Sequence, residues 1–263
     1  MLRLGFVGTG VLAEAVIDGL QAEGGGRCAF YLSPRSEERS RRLAAVYANV
    51  SREDSNAAVV AASDIVVLGV LPQQIADLRG LPFRADQIVV SLLAGTALDL
   101  VRPIVRPATR LVRVIPLPSI RLRKGPIVMS PRDATVEALF GGLGDLIVLD
   151  RESDLTATGV ASGLMSSYFQ LQNVAVDWLR SRGLPDAQAS QYVRSLFAGL
   201  AEVALAQERA GEPLDPGHHE TRGGLNERSR AHLLKTGWFD RWSEALDIIE
   251  AHGRTLSKGG ESG

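Results

Sequence analysis

An apolar run from Arg3 to Gly8 leads directly into Gly8-Thr9-Gly10-Val11-Leu12-Ala13, and an amphipathic stretch from Val11 to Glu23 follows. A G-x-G-x-x-G/A turn between a strand and a helix restricts the possible folds more than any other feature of the chain. Gly8 permits the tight turn, Gly10 lets the backbone approach a pyrophosphate, and Ala13 lets the helix pack close to the strand. The helix N-terminus then meets the negative charge with free N–H groups. In a βαβ context the motif predicts a dinucleotide-binding turn, with Gly8, Thr9, Gly10, Val11 and Leu12 against the cofactor.

The rest of the N-terminal part repeats the pattern. Near-continuous apolar runs at Ala29–Leu32, Ile65–Val70, Ile88–Ser91, Leu111–Ile115, Pro126–Met129 and Leu146–Leu149 read as strands covered on both faces. Helical spacing of apolar residues occupies Ser36–Tyr47 and Asn56–Ala62 between the early ones. Past Asp150 no strand-like run remains, and long helices are expected over Leu155–Leu179, Asp186–Glu208, Leu225–Lys235 and Trp238–Thr255. The fold expected is therefore an α/β Rossmann-type parallel-sheet domain over residues 1–150, followed by an all-α domain over residues 151–263. The Gly/Ser-rich tail Ser257–Gly263 reads as frayed.

Composition narrows the function classes. The 29 Lys plus Arg against 30 Asp plus Glu leave a net charge of −1, which removes the electrostatic footprint of a nucleic-acid binder. No apolar run approaches the ~18 residues of a membrane-spanning helix, and Met1–Gly8 reads as a strand rather than a leader. The single cysteine, Cys28, excludes a disulfide framework and a multi-cysteine zinc site, so the expected compartment is the cytoplasm. His218, His219 and Glu220 are adjacent, yet no further His or Cys stands at ligand spacing, so a solvated loop is the better reading and no metal is expected.

Where an NAD-binding chain carries an acid for the ribose 2′-hydroxyl, this one has Leu32-Ser33-Pro34-Arg35-Ser36. The missing acid removes the repulsion against a 2′-phosphate, and Ser33, Arg35 and Ser36 supply charge-assisted hydrogen bonds to one. NADPH is thus the expected cofactor, with NADH a possible substitute. Arg39, one turn on, either reinforces this site or points to water.

Gly5-Phe6-Val7-Gly8-Thr9-Gly10, Ala13-Glu14-Ala15, Ser63-Asp64-Ile65-Val66-Val67-Leu68, Leu71-Pro72-Gln73, Ser91-Leu92-Leu93-Ala94-Gly95, Arg113-Val114-Ile115-Pro116 and Gly125 together resemble the pyrroline-5-carboxylate reductase family. Thr221-Arg222-Gly223-Gly224 is similar to that family's Ser-Pro-Gly-Gly segment, with Gly237-Trp238-Phe239 following in order. The resemblance implies NADPH- or NADH-dependent reduction of a cyclic imine to proline or a close analogue. It also implies a helical domain that joins a partner subunit as a homodimer or higher homo-oligomer. It extends the cofactor-binding set to Asn56, Val70, Pro72, Ala94 and Gly95.

The chain also departs from the family pattern. A family lysine is Leu71, a family asparagine near the nicotinamide is Leu117, and the threonine associated with the imine is Asn226. Gly223, Gly224 and Leu225 open a helix whose N–H groups suit a substrate carboxylate. Asn226 offers an amide donor and a carbonyl acceptor near the nitrogen, and with Thr221 forms the expected catalytic pair; the plain alternative makes Asn226 an N-cap. Tyr168, Trp178, Trp238 and Trp242 read as core or interface residues, and Cys28 as a buried apolar side chain. Two alternatives remain: an NADP-dependent oxidoreductase on a different imine or keto substrate, and a non-catalytic NADP-binding regulator. A β-hydroxyacid dehydrogenase would need a lysine in Tyr168–Asn173, where there is none.

Overall fold

The computed structural model describes residues 1–259. They form two compact units, Met1–Gly159 and Val160–Leu256. The first is built on an eight-stranded sheet: β1 (Leu2–Val7), β2 (Cys28–Leu32), β3 (Val50–Arg52), β4 (Ile65–Leu68), β5 (Ile88–Ser91), β6 (Arg110–Pro116), β7 (Pro126–Ser130) and β8 (Asp145–Val148). Their order is β3-β2-β1-β4-β5-β6-β7-β8. The chain winds outward from β1 through β2 to β3, returns to pair β4 with β1, and continues in the opposite direction. This reversal is the topological switch point, outside which ligands of open α/β sheets bind.

Alternation along each strand divides the core between the two faces. Leu4, Phe6, Ile65, Val67, Ile88 and Val90 pack with Val16, Ile17 and Leu20 of helix α1 (Val11–Gly24) and with Leu43 of α2 (Glu37–Val46). Val7, Val66, Leu68 and Val89 pack on the other face with Val59 and Val60 of α3 (Asn56–Ala62) and Val101 of α4 (Leu98–Val101). Every residue of β4 and β5 is buried, as the continuous apolar runs require.

The sheet departs from the all-parallel expectation at one joint, where β6 and β7 pair antiparallel. The connection between Pro116 and Pro126 holds only a short 3-10 turn, Pro118–Leu122, and a parallel return needs a crossover of about a dozen residues or more. From β7 to β8 the helix α5 (Ala134–Phe140) supplies a crossover, and those strands are parallel. Asp133 starts α5, its carboxylate accepting from the N–H groups of Thr135 and Val136 at 3.0 and 3.2 Å.

The second unit is helical: the end of α6 (Asp154–Ser162), then α7 (Met165–Ser181), α8 (Asp186–Arg209), α9 (Leu225–Lys235) and α10 (Trp238–Gly259). The single helix expected over Leu155–Leu179 is broken at Gly163, where a Cβ would stand 2.8 Å from Ile249 Cδ1, so α10 packs against bare backbone. Buried apolar residues are few, with Val176, Ala189 and Val193 as the centre and Phe197 against them. Trp238 and Trp242 pack edge to face 5.5 Å apart, whereas Trp178 is 57 % exposed. Of the tail expected to fray, residues 257–259 continue α10 and residues 260–263 lie outside the described residues. Among the described residues no helix is long and apolar enough to cross a membrane.

Candidate functional site

Gly8 closes β1 with φ +96°, and a Cβ there would lie 2.7 Å from the Gly69 carbonyl carbon and oxygen. Gly69, just past β4, faces the same constraint, since its Cβ would lie 2.8 Å from Gly8 O. The two backbones touch because β1 and β4 are neighbours at the switch point, and only glycine fits either position. Gly10 differs. Its nearest neighbour for an added Cβ is Gly69 O at 3.8 Å, an ordinary contact, so nothing in the free protein demands glycine there. A cradle that leaves room for a methyl group yet keeps glycine fits close approach by a pyrophosphate.

The loop is held from behind by Ser33. That residue is fully buried, and its hydroxyl accepts from the Gly8 N–H at 3.2 Å while its carbonyl accepts from the Thr9 hydroxyl at 3.5 Å. Ser33 therefore positions the turn rather than facing a ligand, in contrast to the contact with a 2′-phosphate expected from its place after β2. Thr9 is buried as well, whereas Val11 is 57 % exposed at the start of α1 and Leu12 is half-buried. Ala13 is buried, with Gly69 close against it.

Arg35 and Ser36 follow β2. Ser36 is the N-cap of α2 with φ 55°, in the left-handed region, and its side chain makes no cap hydrogen bond. The Arg35 guanidinium pairs with Asp77 at 2.6 Å. Arg39 and Arg42 both turn inward to the carboxylate of Glu14 in α1, so Arg39 serves the α1–α2 contact. Asn56, the first residue of α3, has a buried Oδ1 with no hydrogen-bond partner among the described residues. Val70, Pro72, Ala94 and Gly95 lie in the segments after β4 and β5, Val70 buried and Gly95 at φ +70° with open space around it. Leu71, where the family has lysine, is 63 % exposed.

In the helical unit, Gly224 rather than Asn226 is the N-cap of α9, which corrects the plain reading of Asn226. The Asn226 amide donates to His219 O at 2.9 Å. The Gly224 N–H donates to Thr221 O at 2.7 Å, and the Gly223 N–H donates to the Glu227 carboxylate. Three donors assigned from sequence to the substrate are thus engaged within the loop. Leu225 is 87 % exposed beside them. Glu220 is paired to Arg230, which holds its carboxyl below the usual range. His218 and His219 sit in the 3-10 turn Pro216–His219, and no cluster suited to a metal occurs among the described residues.

Sequence reasoning missed two charged groups. Asp77 is one; the other is Arg113 in β6, 5 % exposed, with Glu152 at 3.3 Å. Burial pushes the Arg113 pKa down against the opposing pull of Glu152, and its Nε has no partner. Glu152 also accepts from the Leu98 N–H at 2.7 Å, so one carboxylate ties β6 to the start of α4. An arginine inside an apolar run was the available signal.

The family model described as "NADP oxidoreductase coenzyme F420-dependent" matches residues 3–95. The pyrroline-5-carboxylate reductase of Pseudomonas aeruginosa is 27 % identical over 217 residues, 78 % of this chain and 79 % of that protein. The enzyme of the same name from Pisum sativum is 29 % identical over 248 residues, 90 % of this chain and 89 % of its own length. Over most of its length this chain is similar to the pyrroline-5-carboxylate reductases. Together with the glycine loop, these similarities make it an NAD(P)H-dependent oxidoreductase acting on carbon–nitrogen bonds. The fold agrees: the Plasmodium falciparum pyrroline carboxylate reductase crystallised with NADP superposes with a TM-score of 0.81 at 17 % identity, covering 97 % of this chain and 98 % of that one.

Proposed function

We propose that this reductase uses NADPH to reduce a five-membered cyclic imine, pyrroline-5-carboxylate or a close analogue. The open face of Gly10, at the start of α1 and beside the Gly8–Gly69 contact, carries the cofactor half of this reading, because a pyrophosphate approaches closest over backbone that bears no Cβ. The polar groups present fit a dinucleotide as well: N–H donors at the start of α1, an unpartnered Asn56 Oδ1 able to accept from a ribose hydroxyl, and Arg35 with Ser36 as donors to a 2′-phosphate. The nicotinamide, when bound, supplies hydride from C4.

The chain's own contribution is orientation. An iminium protonated in solution needs no strong acid from the enzyme, only a group that holds its N–H in line. Asn226 spends its amide on His219 O and retains Oδ1 as an acceptor suited to that N–H. Thr221 closes the loop through its carbonyl, which leaves its hydroxyl for the substrate. Gly223, Gly224 and Leu225 frame the loop at the start of α9.

One observation favours a second reading, an imine without a carboxylate. Glu227 places an internal carboxylate on the Gly223 N–H, where an acidic substrate would compete with it. For the assembly we infer a homodimer: α8 exposes Tyr192, Leu196, Leu200 and Val203 at helical spacing, a longer apolar row than a monomer's surface usually bears, and a second copy covers it.

The test follows NADPH absorbance with purified protein and pyrroline-5-carboxylate, with 1-pyrroline, a six-membered imine carboxylate and NADH in parallel. Saturable turnover of the five-membered imine carboxylate is expected. Turnover of 1-pyrroline alone would establish the second reading, and absence of turnover on every imine would overturn both.

A further inference from the structure

An ion pair crosses the switch point above β1. Arg35 stands just past β2, and Asp77 lies in the 3-10 turn Pro72–Leu78 that follows β4; these two strands flank β1 on either side. Arg35 Nη1 meets Asp77 Oδ2 at 2.6 Å, with the two side chains 52 % and 43 % exposed. The neighbouring guanidiniums are committed elsewhere. Arg39 and Arg42 hold the buried carboxylate of Glu14, and Arg52 donates to Ser40 Oγ and Pro34 O. Arg41 pairs with Glu37 within α2, so among the guanidiniums that follow β2 Arg35 is the one whose exposed partner comes from across the switch point, and an exposed pair is readily exchanged.

We propose that Asp77 is a specificity-determining residue: it competes internally for Arg35, and a 2′-phosphate displaces it whereas a 2′-hydroxyl does not. A phosphate offers more charge and three strong acceptor oxygens, which a guanidinium fork prefers to a single contact with a carboxylate. A neutral hydroxyl gains too little from Arg35 to break the pair, so the pair stays closed over NADH. Once displaced, the Asp77 carboxylate lies within screening distance of the phosphate and repels it until it swings into solvent. Asp77 therefore weakens NADPH binding and leaves NADH binding as it is.

This inference rests on the cofactor reading above, and binding rather than turnover tests it. Calorimetric titration of the full-length protein with NADPH, NADH and 2′,5′-ADP would be carried out for wild type, Asp77→Asn, Arg35→Gln and the double variant. Asp77→Asn is expected to tighten NADPH and 2′,5′-ADP about two- to five-fold (~0.4–1 kcal/mol) and to leave NADH unchanged. In the Arg35→Gln background the gain should shrink toward nothing. A gain equal for NADPH and NADH, or one undiminished without Arg35, overturns the proposal. If neither dinucleotide binds wild type, the cofactor reading falls and takes this inference with it; if both bind and Asp77→Asn shifts neither, the inference alone falls.

Discussion

Replacing Gly8 and Gly10 separately by alanine should separate the fold of the nucleotide loop from its use. At Gly8 the new Cβ adopts φ +96° and stands 2.7 Å from Gly69 backbone atoms. The left-handed conformation costs ~1–2 kcal/mol and overpacking against an immobile neighbour ~1–3 kcal/mol, so Gly8→Ala should lose roughly 2–5 kcal/mol. At Gly10 the nearest atom is 3.8 Å away and φ lies outside the left-handed region, so the unliganded protein should change by less than about 1 kcal/mol. The assay is thermal unfolding with and without NADPH. A ligand at 100 times its Kd stabilises by ~2.7 kcal/mol, worth about 5–10 °C at ~2–4 °C per kcal/mol for a domain of this size. Wild type should show that shift and Gly10→Ala should lose most of it at an unchanged unliganded Tm. A Gly10→Ala protein that keeps the full shift refutes the assignment of this loop to a pyrophosphate.

Four further outcomes follow from other parts of the structure. Asp133→Ala removes the α5 cap and the Arg110 partner at 2.8 Å, and urea denaturation at pH 7 should show a loss of ~1–2 kcal/mol. Burial pushes the Asp133 pKa up, but Arg110 and the Val136 and Thr135 N–H groups outweigh it and hold the carboxyl below its usual value. Its contribution is therefore present above pH ~3.9 and disappears as pH falls through the lower folded value, so wild type and variant should converge there. Glu152→Ala strands the buried Arg113 cation and should cost ~3–5 kcal/mol, whereas Arg113→Met, measured the same way, should cost much less. Glu227→Gln should lower KM for pyrroline-5-carboxylate relative to 1-pyrroline, and an unaltered ratio would remove Glu227 from substrate choice. Leu196→Asp should convert the dimer to monomer in sedimentation velocity; a wild-type monomer at micromolar concentration would refute the shared interface.

The sheet was legible because burial on both faces writes itself as unbroken apolar runs, and the loop because its glycines follow such a run at once. Val50–Arg52 escaped notice: one buried residue in a short edge strand leaves no pattern. The break at Gly163 was equally hidden, since the helical spacing of Leu155–Leu179 continues through it and the reason lies in Ile249. The tight turn at Gly8 could be read ahead from its glycine, whereas the left-handed backbone of Ser36 left no mark in the sequence. Ser33 looked the same in sequence as a ligand contact, and only its burial beneath Gly8 reveals a supporting role. Asp77 carried no signal at all, because its partner stands 42 positions away and an exposed aspartate in a turn is ordinary.

The contact between Gly8 and Gly69 limits how this chain can diverge. The atoms that would oppose a side chain at either position belong to backbone, so no substitution at the other residue can make room for one. Compensating pairs, the usual route by which packed positions drift together, are closed here. Neighbouring positions stay open to exchange, as Leu71 and Leu117 illustrate where the family has lysine and asparagine. Descendants of this sequence can change what they reduce far more readily than they can change how β1 meets β4.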